Sequence, residues 1–103
     1  MEILNQYATA FAAISDEFRL KILLYLYING ERCVCHICDF FNVGQSSMSY
    51  HLKILTEANI INKKQVAVWN YYSINKSNEM YPMLMDIFKN INKGEWKDNV
   101  SDE

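Results

Sequence analysis

No stretch of this 103-residue chain approaches the roughly 18 consecutive apolar residues of a membrane-spanning helix. The start, Met1 to Gln6, lacks the basic stretch and apolar core of an export signal. Glycine is scarce, with three residues, and none belongs to a phosphate-cradling loop. There are no repeats, no low-complexity tracts and no conspicuous carboxylate pair, so neither nucleotide chemistry nor general acid-base catalysis has visible machinery. These absences argue against a membrane protein and against an enzyme. The expectation is a cytoplasmic protein with no organic cofactor.

What is present is enough apolar material for a core. At 50% hydrophobic and 14% aromatic residues, the chain suits one small domain, over residues 1–92. A domain of this size buries a modest share of its surface and gains from a partner subunit. Residues 93–103 read as a polar C-terminal tail and a candidate for disorder. The net charge of -2 is unevenly spread: residues 44–78 carry Glu57 against Lys53, Lys63, Lys64 and Lys76, while the segments on either side are acidic. A basic middle between acidic ends is the footprint of a phosphate-facing surface, here a thin one that dimerisation would double.

All three cysteines fall within six positions: Cys33, Cys35 and Cys38. In a reducing compartment such a cluster points to thiophilic ion or redox chemistry over a disulfide framework. Thiolates are soft ligands that select soft metals and metalloids. Zinc or cadmium needs a fourth ligand, for which His36 is the nearest candidate, and Cys35 with Cys38 forms a C-x-x-C pair able to oxidise. A thioredoxin-like enzyme would need alternating strands and helices around that pair, and its flanks are helical. On an ideal helix Cys35 and Cys38 share a face, whereas Cys33 lies about 140° to 160° from both. Convergence of all three therefore requires residues 33–35 to be non-helical or distorted. Arg32 and a helix N-terminus nearby predict lowered thiol pKa values.

Periodicity predicts a mainly α chain with a small β-hairpin. Ile3, Leu4, Tyr7, Ala8, Phe11 and Ile14 mark a first amphipathic helix. Ser15 and Asp16 suit the cap of a second helix, from about Glu17 to Asn29, with Phe18, Ile22, Leu23, Leu26 and Tyr27 as its apolar stripe and Gly30 as its terminator. Ile37, Phe40 and Phe41 line a short third helix. Val43 and Gly44 form a tight turn, and Gln45 opens a fourth helix with Met48, Leu52 and Leu55 on its buried face. Two short helices across such a turn make a helix-turn-helix candidate. On the fourth helix Gln45, Ser46, Ser47, Ser49, Tyr50 and Lys53 are candidate DNA contacts, able to meet base edges and phosphates. The stretches 60–64 and 68–74 are β-branched and aromatic, predicting two strands of a wing joined near Gln65 to Ala67. Lys63 and Lys64, beside the hairpin tip, are candidate phosphate contacts, while Trp69, Tyr71 and Tyr72 are expected mostly to pack the hairpin on the core. A last helix is predicted over about Met80 to Asn92, and with the first helix it is the candidate dimer interface.

The stretches AISDEFRLKILLYL, GERCVCHICDFF, VGQSSMSYHLKIL and VWNYYSI, in this order and spacing, resemble winged-helix repressors of the ArsR/SmtB family. The likeness spans about residues 8–75. It implies a winged helix-turn-helix homodimer that binds double-stranded operator DNA and leaves it when a toxic ion is captured. Cys33, Cys35 and Cys38 resemble the site of the arsenite- and antimonite-responsive branch, which implies As(III) or Sb(III) as inducer. Branches sensing zinc or cobalt use an Asp-x-His pair in the last helix. Here Asp86 is followed two positions on by Phe88, and that helix contains no histidine. The chain also departs from the family at Glu17, where proline is frequent, and at the wing tip Gln65-Val66-Ala67, which lacks the usual glycine.

Overall fold

The computed structural model describes residues 2–100. Among them, five helices and three strands run in the order α1 (Glu2–Ile14), α2 (Glu17–Asn29), β1 (Arg32–Cys33), α3 (Val34–Phe41), α4 (Gln45–Glu57), β2 (Ile61–Val66), β3 (Trp69–Ile74) and α5 (Tyr81–Phe88), followed by one turn of 3-10 helix at Lys93–Trp96. This is the mainly helical, winged helix-turn-helix architecture expected from the sequence. Local chemistry sets the helix ends. The Asp16 carboxylate accepts from the Arg19 backbone N–H at 3.0 Å and caps α2, satisfying one of the donors a helix start leaves open. At the other end Gly30 takes a positive φ of 83°, which glycine adopts without a Cβ penalty.

Helix α2 is the centre of the domain. Ile22, Leu23, Leu24, Tyr25 and Leu26 are consecutive and all buried, and a helix apolar on every side must be surrounded. The apolar stripe expected from periodicity was thus too narrow: Leu24 and Tyr25 are buried as well, whereas Phe18 and Tyr27 are only half-buried. Met48, Leu52 and Leu55 of α4 and Ile37 of α3 fill the adjoining core. The turn between α3 and α4 is made differently from expectation. Its left-handed residue is Asn42, at φ 55° and ψ 49°, while Gly44 has the ordinary φ of -66° and caps α4. Asparagine tolerates this region better than other side chains, so the turn does not need the glycine.

The sheet order is β1-β3-β2, antiparallel throughout. Strands β2 and β3 form the wing, with Val66 opposite Trp69. Ala67 and Val68 make the intervening turn, and Ala67 carries a φ of 57°, a position at which tight hairpins favour glycine. A left-handed L-residue costs about 1–2 kcal/mol, against the roughly 0.4–1 kcal/mol that glycine loses through the unfolded chain. Ala67→Gly is therefore expected to stabilise the domain by about 0.5–1 kcal/mol. A urea unfolding midpoint that fails to rise would show that the wing carries no such strain.

Two apolar faces remain outside this core. Ile3, Leu4 and Phe11 of α1 are 61%, 63% and 51% exposed, and Met83 and Ile87 of α5 and the following Ile91 are exposed too. Helix α5 ends at Phe88, short of the predicted Asn92, and the chain then turns back over the domain. Trp96 approaches Phe40 and Phe41, its ring centroid 6.2 Å from each. Two residues later the Asp98 carboxylate meets the buried Arg32 guanidinium at 2.8 Å and 3.1 Å and accepts a hydrogen bond from the Tyr25 hydroxyl. Asn29 completes the junction: its amide donates to the Trp96 carbonyl at 2.8 Å, and its side-chain oxygen accepts from the Asp98 backbone N–H at 3.0 Å. Residues 93–100 are thus a strap across α2 and α3, where composition pointed to a loose tail. Residues 101–103 of that expected tail lie outside the described residues.

Candidate functional site

The three cysteines sit where β1 gives way to α3. Cys33 is the last residue of β1 and the cap of α3, with extended backbone (φ -67°, ψ 148°), and it pairs with Tyr71 of the wing strand β3. Cys35 and Cys38 are both helical, in α3. Because Cys33 lies outside the helix, the angular conflict of an ideal helix does not arise for it. The Cys35 thiol donates to Cys33 Sγ at 3.0 Å, well beyond a disulfide bond of about 2.05 Å, and all three thiols are free. Cys33 is buried, Cys35 exposed and Cys38 half-buried. Among the described residues no set of three Cys, His, Asp or Glu side chains stands close enough to hold a metal ion. The donor set suits a soft trivalent centre, with two sulfurs adjacent and the third one helical turn away. Gathering all three requires Cys38 to approach.

Cys35 and Cys38 are not activated in the way the sequence suggested. Partial burial, together with the hydrogen bond to Cys33, pushes Cys35 up to about 11. Burial, reinforced by the Asp39 carboxylate, also raises Cys38. Arg32, expected to assist, has its guanidinium paired with the Asp98 carboxylate at 2.8 Å. Both side chains of that pair are almost fully buried, at 4% and 6% exposure.

Helix α4 presents the face expected to read DNA. Gln45, Ser46, Ser47, Ser49, Tyr50 and Lys53 are all exposed, and Met48, Leu52 and Leu55 anchor the opposite side. Lys63 and Lys64 of β2 are exposed as well, Lys64 reaching Glu31 at 3.3 Å. Between α4 and the wing lies a cavity of about 410 Å³ whose lining includes Ser49, Lys53, Lys63 and Asn70. The structure thereby brings Ser49, Lys53 and Lys63 into one concave surface. Asn70 was not anticipated. Its side-chain oxygen is buried and, among the described residues, has no hydrogen-bond partner; it shares the cavity lining with Lys53 and Lys63, and only the fold could have placed it there.

His51 braces this helix from behind. Its Nδ1 lies 3.1 Å from Arg19 Nη1, and its ring meets Phe18 edge-on, with centroids 5.0 Å apart. On the wing, Tyr72 is buried and Tyr71 half-buried, as packing on the core demands, but Trp69 is 51% exposed. The aromatic run therefore divides, with its first member left in solvent.

The described residues include no helix long and apolar enough to cross a membrane. Residues 16–63 match the profile of the bacterial regulatory protein, arsR family. The chain is 45% identical over 74 residues to the arsenical resistance operon repressor of Bacillus subtilis (strain 168), covering 72% of this chain and 70% of that protein. Its fold resembles HlyU from Vibrio cholerae N16961, with a TM-score of 0.74 at 26% identity over 82% of this chain and 90% of the other. It also resembles the homodimeric winged helix-turn-helix DNA-binding domain (fragment 1-100) Mb0332 from Mycobacterium bovis, with a TM-score of 0.72 at 25% identity over 85% and 79% of the two chains. A helix-turn-helix with an adjoining wing, an exposed polar reading face and this degree of likeness to known regulators leave one assignment: the chain belongs to the arsR family of bacterial regulatory proteins, and is a DNA-binding transcriptional regulator, not an enzyme.

Proposed function

We propose that this chain is a homodimeric repressor that holds operator DNA through α4 and the wing and lets go when trivalent arsenic or antimony is captured by Cys33, Cys35 and Cys38. The observation that carries this reading is the thiol pair at 3.0 Å, set at the seam between β1 and α3. Strand β1 pairs with the wing strand β3 through Arg32 with Tyr72 and Cys33 with Tyr71. Helix α3 is the first helix of the helix-turn-helix and leads directly into α4. A ligand spanning this seam therefore touches β1, which pairs with wing strand β3, and α3, which leads into α4. Support for arsenic comes from the Bacillus subtilis relative, an arsenical resistance operon repressor.

The movement required lies in α3. Drawing Cys38 toward Cys33 and Cys35 turns the first turns of α3 against a sheet that holds Cys33 fixed, and α4 follows because α3 packs upon it. Arsenous acid exchanges its three hydroxyls for three thiols, forming three As–S bonds and releasing three waters, with arsenic remaining trivalent. Ligand affinity and DNA affinity are then coupled reciprocally, each lowering the other. For the dimer, the exposed apolar residues of α1 (Ile3, Leu4, Phe11) and around α5 (Met83, Ile87, Ile91) are the surface that a second copy would cover. Domain 1–92 supplies both the reading face and this dimer face, and residues 93–100 lock the thiol segment onto α2.

Mobility shift of the DNA upstream of the chain's own coding sequence, with arsenite, zinc, cadmium and peroxide added in parallel, tests the reading. The bound species is expected to disappear with arsenite at concentrations where zinc and cadmium leave it intact. Release by cadmium or peroxide alone would assign the cluster to a different signal.

A further inference from the structure

The chain's two arginines, Arg19 and Arg32, are both engaged inside the domain. Arg19 donates through Nε to the Ala13 carbonyl at 2.6 Å, and its Nη1 lies 3.1 Å from His51 Nδ1, while Arg32 is paired with Asp98. Arginine or lysine bidentate to guanine is the commonest base-specific contact in the major groove. Helix α4 carries no arginine and one lysine, Lys53, so most of its base reading falls to other chemistry. Tyr50 supplies it. Its side chain is 62% exposed, and it stands about 160° round the helix from the buried Met48, pointing straight away from the core. The ring is nevertheless held. It meets the His51 ring edge-on, with centroids 5.1 Å apart and planes at 73°, and His51 is set in turn by Arg19 and Phe18. A side chain already fixed in place loses little freedom when it docks. Ser46, one turn earlier, and Ser49 beside it are exposed and small, so a base edge can come up to the ring.

We infer that Tyr50 is a specificity-determining residue of α4, its ring packing on the C5 methyl group of a thymine in the major groove. That methyl is the apolar feature by which thymine differs from the other bases at the groove edge, and apolar side chains recognise it by contact. The hydroxyls of Ser46 and Ser49 and the Lys53 ammonium surround the ring on the same exposed face, which places the contact within the polar reading surface. Burial of one methyl-sized group corresponds to about 4-fold in affinity, hence about 15-fold for the two half-sites met by a dimer. This inference deepens the operator-binding part of the reading above and rests on it, whichever ion the thiols capture.

The test begins with a duplex selected from random sequence for tight binding by the full chain. That duplex is made twice, once with thymine and once with uracil in its place, and both are titrated at one fixed salt concentration by fluorescence anisotropy. The unaltered chain is expected to bind the thymine duplex about 15-fold more tightly. Tyr50→Phe, which keeps the ring, is expected to retain that ratio, and Tyr50→Ala to bring it close to one; the exposed position spares the core in both. Equal binding of the two duplexes by the unaltered chain, or an undiminished ratio in Tyr50→Ala, would overturn the inference. So would a loss of affinity in Tyr50→Phe as large as in Tyr50→Ala, which would assign the phenolic hydroxyl to a phosphate. Arsenite added to each complex separates the two claims. If the methyl is discriminated but arsenite releases neither duplex, the arsenic response proposed above falls and the role of Tyr50 stands; release of both duplexes without discrimination has the opposite meaning.

Discussion

Asp98→Asn is expected to destabilise the domain by about 3–5 kcal/mol, the range for removing one partner of a buried ion pair. The substitution keeps the size of the side chain but removes the charge that faces the Arg32 guanidinium, which is 4% exposed. It also weakens the acceptor met by the Tyr25 hydroxyl, and Tyr25 is fully buried. Glu95→Gln, on the exposed outer side of the strap, is the matched control and is expected to change little. Thermal or urea unfolding of the two variants measures the difference. Equal stability would mean that the strap is not fastened to the domain.

The same carboxylate sets an acid limit. Burial alone would raise Asp98, but the hydrogen bonds from Arg32 and Tyr25 outweigh it and hold the group at about 2, against an ordinary 3.8. A carboxyl depressed in the folded state stabilises the fold above its ordinary pKa, and that contribution fades as pH falls from about 4 through 2. The shift corresponds to roughly 2 kcal/mol. In Asp98→Asn this part of the acid slope is expected to vanish, leaving a flatter stability profile below pH 4.

The second large effect concerns the thiols. Cys35→Ser is expected to leave DNA binding intact while raising the arsenite needed for release by about 10²–10⁴-fold, because the remaining thiols lose the advantage of joint attachment. Cys35 contributes nothing to the core, being exposed, so its loss acts on capture alone. Cys33 is less clean as a probe, since it is buried and paired in the sheet. Arsenite titration of the DNA complex of Cys35→Ser gives the answer directly. An unchanged release concentration would remove Cys35 from the site.

What could be read from the sequence was what local chemistry decides. The bounds of α2 and the start of α4 follow from Asp16, Gly30 and the Met48, Leu52 and Leu55 repeat, all signals within a few residues of the element they define. The polar face of α4 was legible for the same reason. Contacts between distant residues were not. Tyr25 and Asp98 are separated by 73 positions, and no periodicity links them, so a segment with few apolar residues read as a tail when its one acidic and one aromatic anchor hold it down. Asn92 was the available hint, because its side chain accepts from the Gly94 N–H and caps a turn. The backbone of Cys33 was hidden likewise. Its extended form depends on pairing with Tyr71, 38 positions away, and that pairing removes the helical conflict that spacing alone implied. Arg32 misled because its charge was counted by nearness in sequence, whereas its planar guanidinium is committed to a carboxylate from the other end of the chain.

Coupling between the thiols and DNA is the core of this account, and one comparison reaches it directly. Fluorescence anisotropy of labelled upstream DNA, bound by the unaltered chain and by a variant with Cys33→Ser, Cys35→Ser and Cys38→Ser together, is followed as arsenite is added. Both proteins are expected to bind the DNA, and only the unaltered chain is expected to release it. Release of the triple variant at the same arsenite concentration would contradict the account.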